Sequence, residues 1–358
     1  MSFPFVQPYF GLGNSLQTAQ GAAGGGASGG WVELGRTTLG SAGDDITVSS
    51  LPDKRYYMVL ASLPDTGQAN QKIRLGYSSV DSGSNYAWRA STNGGADNTS
   101  TSADHMNLTV DAIYDTKFSI GYLSNLSSKE KLTQWWTNER TGVGAGNPPV
   151  RKELVGKWTN TSNPLDVVNF FNSASGSFAT GSEVVVLGWD PADTHTTNFW
   201  EELASVDLSG GAATNLSSGT ISAKKYLWVQ YYAQFVSGTD DIRFTFNNDT
   251  GTNYADRRSI NGAGDGTKIN QTNWEDEGGV VSGRGVFVNM FIINNASNEK
   301  LGIVHSIRDI GGAAATAPQR REWVAKWANT SDQITEIDLT SSSANFDTVT
   351  SMNVWGAN

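Results

Sequence analysis

Arg151-Lys152-Glu153-Leu154-Val155-Gly156-Lys157-Trp158-Thr159-Asn160-Thr161-Ser162 returns later in the chain as Arg320-Arg321-Glu322-Trp323-Val324-Ala325-Lys326-Trp327-Ala328-Asn329-Thr330-Ser331. The same offset of about 169 residues pairs Trp31 with Trp200, Ile73-Arg74 with Ile242-Arg243, and Phe118 with Phe287. It also pairs Glu130-Lys131-Leu132 with Glu299-Lys300-Leu301. Shifted by one residue, Gly83-Ser84-Asn85-Tyr86-Ala87 matches Gly251-Thr252-Asn253-Tyr254-Ala255. Matches kept in order over the whole span mean a tandem duplication. A unit of roughly 160 residues is far longer than a solenoid or propeller repeat and can hold a core of its own. The reading places one domain at 31–191, a short joint at 192–199, and a duplicate domain at 200–358.

The segments inside each unit read as strands. Arg55-Tyr56-Tyr57-Met58-Val59-Leu60-Ala61 corresponds to Lys225-Tyr226-Leu227-Trp228-Val229-Gln230-Tyr231, aromatic-rich and bounded by turn residues. Lys72-Ile73-Arg74-Leu75-Gly76-Tyr77 and Asp241-Ile242-Arg243-Phe244-Thr245-Phe246 alternate apolar and polar residues, as a half-buried strand does. Phe118–Leu123, Val286–Ile293, Leu154–Trp158 and Glu183–Leu187 continue the pattern. No amphipathic helix stands out. The fold class expected is all-β: two tandem homologous antiparallel β-sandwiches, jelly-roll-like, following a flexible N-terminal arm.

Composition agrees. Charged residues are 17%, well below the usual ~25%, while Gly reaches 40 and aromatics 10%. Such a chain favours strands and turns over helices. The formal charge of −10 argues against nucleic acid as a partner and against docking on anionic membranes. With no Cys, disulfides and thiolate metal sites are excluded. No apolar run is long enough for a membrane-crossing helix, so no membrane insertion is expected. The start lacks the basic and apolar regions of a signal peptide, which points to synthesis in a cytoplasm.

Residues 1–30 stand apart from both units. Phe3, Phe5, Val6, Tyr9 and Phe10 are apolar anchors broken by Pro4 and Pro8, and residues 21–30 are almost all Gly, Ala and Ser. This is an apolar peptide on a flexible tether, and it is expected to tuck into this protein or dock into a neighbour.

Catalytic patterns are weak. Gly26-Ala27-Ser28-Gly29-Gly30 fits G-x-S-x-G, and residues 24–29 fit G-x-G-x-x-G, but neither follows a strand or opens a helix. His105, His195 and His305 lack partners at metal-site spacings, so no metal and no catalytic residue is assigned. The acidic clusters Asp44-Asp45, Glu201-Glu202, Asp240-Asp241 and Glu275-Asp276-Glu277 read as solvated turns; a polysaccharide-degrading carboxylate pair rests on them alone. The loops 81–85 and 247–253 have oxygen donors of the kind that ligate Ca²⁺ without EF-hand spacing, and Asx turns account for them, so no cofactor is expected. Residues matched in both copies, such as Trp158 and Trp327, read as core. Copy-specific Trp88, Trp135, Trp136 and Trp274 are the candidates for contact with a sugar or a partner.

An apolar N-terminal peptide, a Gly/Ala/Ser tether and two duplicated all-β domains together resemble phage virion structural proteins, namely head decoration proteins and tail or fibre components of the marine-phage type. Paired jelly rolls are similar also to double-jelly-roll capsid proteins, from which this chain departs in its obvious duplication. The resemblance lies in organisation and carries no residue-level motif. It implies a non-enzymatic virion building block that self-associates, docks through its arm and partners other virion proteins. The alternative is a carbohydrate-binding host-adhesion or lectin-like protein that holds a host-surface glycan on loop aromatics.

Overall fold

The computed structural model describes residues 30–109, 116–193, 197–311 and 313–358. The arm anchors Phe3, Phe5, Val6, Tyr9 and Phe10, and His195, lie outside the described residues. The protein is all-β, with two antiparallel β-sandwiches in tandem; the only helical piece among the described residues is a 3₁₀ turn at Ala313–Ala315.

In the first sandwich the strands are β1 (Val32–Thr38), β2 (Asp45–Val48), β3 (Tyr56–Pro64), β4 (Lys72–Tyr77), β5 (Ser79–Val80), β6 (Tyr86–Thr92) and β7 (Asn98–Ala103). They continue as β8 (Met106–Asn107), β9 (Thr116–Ser124), β10 (Lys131–Arg140), β11 (Val150–Trp158), β12 (Val167–Phe171) and β13 (Glu183–Trp189). An eight-stranded sheet runs β1-β13-β3-β9-β10-β11-β6-β7, and β2-β12-β4-β5 face it with β8 beside β4. The chain changes sheet at each step from β1 to β4 and again from β11 through β12 to β13. That wrapping is jelly-roll-like, around a central meander β9-β10-β11.

The second sandwich repeats this order. Its strands are β14 (Glu201–Asp207), β15 (Asn215–Ser217), β16 (Tyr226–Ala233), β17 (Thr239–Phe246), β18 (Tyr254–Ile260) and β19 (Gly266–Gln271). Then come β20 (Trp274–Val281), β21 (Val286–Ile293), β22 (Lys300–Arg308), β23 (Gln319–Trp327), β24 (Ile337–Thr340) and β25 (Ser351–Ala357). The large sheet runs β14-β25-β16-β21-β22-β23-β18-β19 and the small one β15-β24-β17-β20.

Each sandwich has its own core. Tyr57, Val59, Ala61, Trp135, Trp158 and Phe170 sit in the first, Leu227, Val229, Phe246, Trp274 and Trp327 in the second. A third core lies between the two. The outward side chains of the large sheets meet there: Met58, Leu60, Phe118, Ile120, Val185 and Leu187 pack on Tyr226, Trp228, Phe291, Leu301, Ile303 and Val324. This explains Val184-Val185-Val186-Leu187, an unbroken apolar run in a strand covered on both faces.

The seam is also pinned by polar contacts. The Asn138 amide donates to the Gly302 and Ala325 carbonyls at 2.8 and 2.9 Å. Glu183 accepts from the Tyr226 hydroxyl at 2.8 Å and pairs with Lys225. Arg151 pairs with Asp265 at 2.8 Å and with Glu322 at 3.3 Å. The β6–β7 turn reaches the seam too. Within that loop Asn93 and Gly94 both take positive φ, the Gly95 amide donates to the Thr92 carbonyl at 2.9 Å, and a side chain on Gly94 would meet the Asp265 carboxylate at 2.5 Å.

Candidate functional site

The second sandwich covers only part of the first one's outer sheet face. Registers across β9, β10, β11 and β6 set Tyr122, Gln134, Val155 and Arg89 in one outward row. The next row back toward the seam holds Ile120, Trp136 and Glu153. Ile120 and Trp136 pack at the seam, and Trp136 meets His305 at 5.0 Å between ring centroids. The uncovered rows form a groove of about 1160 Å³, with Asn289 from the second sandwich at its border.

The groove is apolar and ringed by aromatics. Tyr56 and Trp189, opposite each other on β3 and β13, stack at 5.6 Å with an 18° interplanar angle. Trp31 leans on Tyr122 at 6.2 Å, and Tyr122 on Trp136 at 6.0 Å. Burial raises the Tyr122 phenol above its usual pKa, so it stays neutral. Leu132 is 59% and Val155 54% exposed. The two cations of the groove, Arg89 and Lys157, pair with Asp97 at 3.1 Å and Glu130 at 2.9 Å. The surface is therefore apolar with its charges locally balanced.

Of the four tryptophans singled out from sequence, two do not reach this surface. Trp135 and Trp274 are buried, the first beneath β10 in the first core and the second at the head of β20 in the second, where its indole donates to the Lys326 carbonyl at 3.0 Å. Neither lies on an exposed loop. Successive strand residues point to opposite faces, so of the neighbours Trp135 and Trp136 one had to enter the core. Trp136 is half-buried at the seam, and Trp88 borders the groove while its ring packs against the first core, with the Lys152 ammonium 5.9 Å from its centre. The groove aromatics Trp31, Tyr56, Tyr122 and Trp189 were not singled out. The available signal was the alternation in Leu132-Thr133-Gln134 and Leu154-Val155-Gly156, which leaves Leu132 and Val155 facing away from the core.

The remaining chemical candidates are occupied elsewhere. The Asp81 carboxylate accepts from the Trp158 indole at 2.7 Å, the Gly83 amide at 2.8 Å and Asn85 at 2.9 Å. Asp249 repeats this with Trp327, Gly251 and Asn253. These oxygens organise Asx turns at the ends of the core. Asp240 accepts from the backbone amides of Ser342 and Ser343 at 2.8 and 2.7 Å; against burial, which raises its pKa, such donors hold it far below the carboxylate range. Asp276 is buried with Arg308 and Arg321, and Glu275 pairs with Arg243 at 3.0 Å. Among the described residues no cluster of three His, Asp or Glu could hold a metal ion.

No family model matches the chain, and no curated protein matches it. Among solved structures, domains LG4–5 of the mouse laminin α1 chain are similar at 8% identity and a TM-score of 0.17, with 91% of each chain covered. An acyl-CoA hydrolase from Agrobacterium tumefaciens is similar at 5% identity and a TM-score of 0.15, covering 62% of this chain and 74% of that one. At TM-scores this low neither likeness bears on fold or function.

Proposed function

We propose that this chain is a non-enzymatic structural subunit of a virion, of the capsid, decoration or tail kind its organisation resembles, and that it self-associates through the groove on its first sandwich. One observation supports the self-association. Leu132 and Val155 stand exposed at positions whose counterparts in the second copy, Leu301 and Val324, are 0% and 1% exposed because a neighbouring sandwich covers them. The first copy presents the same kind of apolar sheet face, uncovered there by any of the described residues, and an exposed apolar patch of this sort marks an interaction surface. Light scattering of the full chain tests this. A defined multimer that dissociates in the Leu132→Asp/Val155→Asp variant is expected, and a native species whose mass is the same in both proteins overturns it.

The Tyr56–Trp189 stack favours a second reading, a host-surface glycan bound in the same groove. Aromatic faces pack on sugar rings, and Gln134 beside them supplies donors and acceptors for hydroxyls. Glycan-array binding lost in Trp189→Ala supports that reading, and an array without hits removes it.

A further inference from the structure

We infer that the groove on the first sandwich is the receptor for the chain's own N-terminal segment, residues 3–12, seated with its aromatic side chains between Tyr56, Tyr122, Leu132 and Val155. This rests on the reading of the groove as a protein-binding surface and names its occupant.

Four observations converge on this segment. The first is position: Gly30 and Trp31, where the described chain begins, themselves line the groove, so the segment is tethered at the groove's edge. A Gly-rich chain as long as residues 13–29 spans roughly 23 Å on average, which holds the peptide at high effective concentration beside the site. The second is chemistry: Met1 through Leu12 contains no charged side chain but carries Phe3, Phe5, Val6, Tyr9, Phe10 and Leu12. It suits a groove whose own cations are already paired with Asp97 and Glu130.

The third is size. At about 1160 Å³ the groove exceeds the roughly 300–1,000 Å³ typical of small-molecule sites, and suits a run of bulky residues. The fourth is backbone: Pro4 and Pro8 fix φ and remove two donors, so the segment is pre-set toward extended conformations and pays less entropy on docking. Aromatic-lined grooves take Pro-containing extended segments for this reason. The same seat can be filled by the chain's own segment or by that of a neighbouring copy, and exchange of an identical element between copies is a low-cost route to assembly.

The absence of Cys makes the test clean. Gln7→Cys is combined with Leu132→Cys in the groove, or with Val349→Cys, which is 54% exposed in the second sandwich, as the control. Under mild oxidation the groove pair is expected to cross-link at least tenfold more than the control pair; equal yields overturn the inference. The mass of the product separates the two claims. A cross-linked monomer or a cross-linked dimer both place the segment in the groove, but only the dimer supports the assembly reading. As a second measurement, the thiol of Leu132→Cys alone is expected to react at least fivefold faster with a thiol reagent when Phe5→Ser/Phe10→Ser is added. An unchanged rate overturns the inference even where the assembly reading survives.

Discussion

Leu132 and Leu301 occupy the same place in the two copies, yet Leu132 is 59% exposed and Leu301 is fully buried at the seam. The reverse holds at the other end of the sheets, where Phe118 is 1% and its counterpart Phe287 43% exposed. The duplicated faces have thus diverged in what covers them while remaining apolar. A charge separates the two roles. Leu301→Asp places an unpaired carboxylate in the third core and is expected to cost about 4 kcal/mol. Leu132→Asp is expected to change stability by no more than about 0.5 kcal/mol while lowering the native mass. Denaturant titration of both variants checks this, and comparable destabilisation by the two would mean that the groove face is structural.

The architecture was largely legible in the sequence because duplication gives most strands a second witness. Trp158 and Trp327 were readable as core for that reason, and both are buried. What could not be read was which face of each large sheet a neighbour covers. Alternation assigns Val155 and Val324 to the same outward side, but only tertiary packing makes Val155 54% and Val324 1% exposed. Copy-specific tryptophans were misleading for a related reason. Trp135 and Trp274 differ between the copies because the two cores are filled differently, and both are buried.

That difference in filling shows as a trade between indole and glycine. Trp135 lies over Gly121, its partner on the adjacent strand, so closely that a Cβ at Gly121 would fall 2.3 Å from the ring. In the second copy the paired residues are Met290 and Val304, and the indole comes instead from Trp274, which lies over Gly302. Gly121→Ala is expected to destabilise the fold by about 1–3 kcal/mol. In a Trp135→Val background the same substitution should cost at most about 0.5 kcal/mol, a coupling that a double-mutant cycle measures. Additive costs would show that the ring and the glycine do not determine each other.

The Asp81–Trp158 bond and its repeat, Asp249–Trp327, each at 2.7 Å, make a second matched pair. Burial raises both carboxyls, but the indole N–H, with an Asn amide and a backbone amide, holds each below its ordinary value. Asp81→Ala and Asp249→Ala are each expected to cost about 2 kcal/mol, because each leaves an indole donor without its charged acceptor. Since the depressed carboxyl must be protonated to lose the bond, the contribution holds above about pH 4 and fades only in stronger acid. Millimolar Ca²⁺ is expected to leave the melting temperature unchanged, and a rise abolished by either variant would assign these loops to the metal instead.

His305 is expected to make the seam sensitive to mildly acidic pH. It sits at the seam against Trp136, where burial, with Arg151 and Arg320 adding repulsion, lowers its pKa from 6.5 to about 4. The imidazole is thus neutral in the folded protein at pH values where the unfolded chain would bind a proton. Stability from this residue is complete above pH 6.5 and falls as the pH drops toward 4, by about 1 kcal/mol per pH unit. His305→Gln has no proton to gain, so the difference in unfolding free energy between wild type and variant should shrink or reverse across that window. The Trp136 ring packed on the imidazole makes the loss local to the seam, and in the wild type the sandwiches should part there before either core melts. Tryptophan fluorescence and calorimetry between pH 7 and 4 read both effects, and a difference that stays constant with pH would remove His305 as the responsible group.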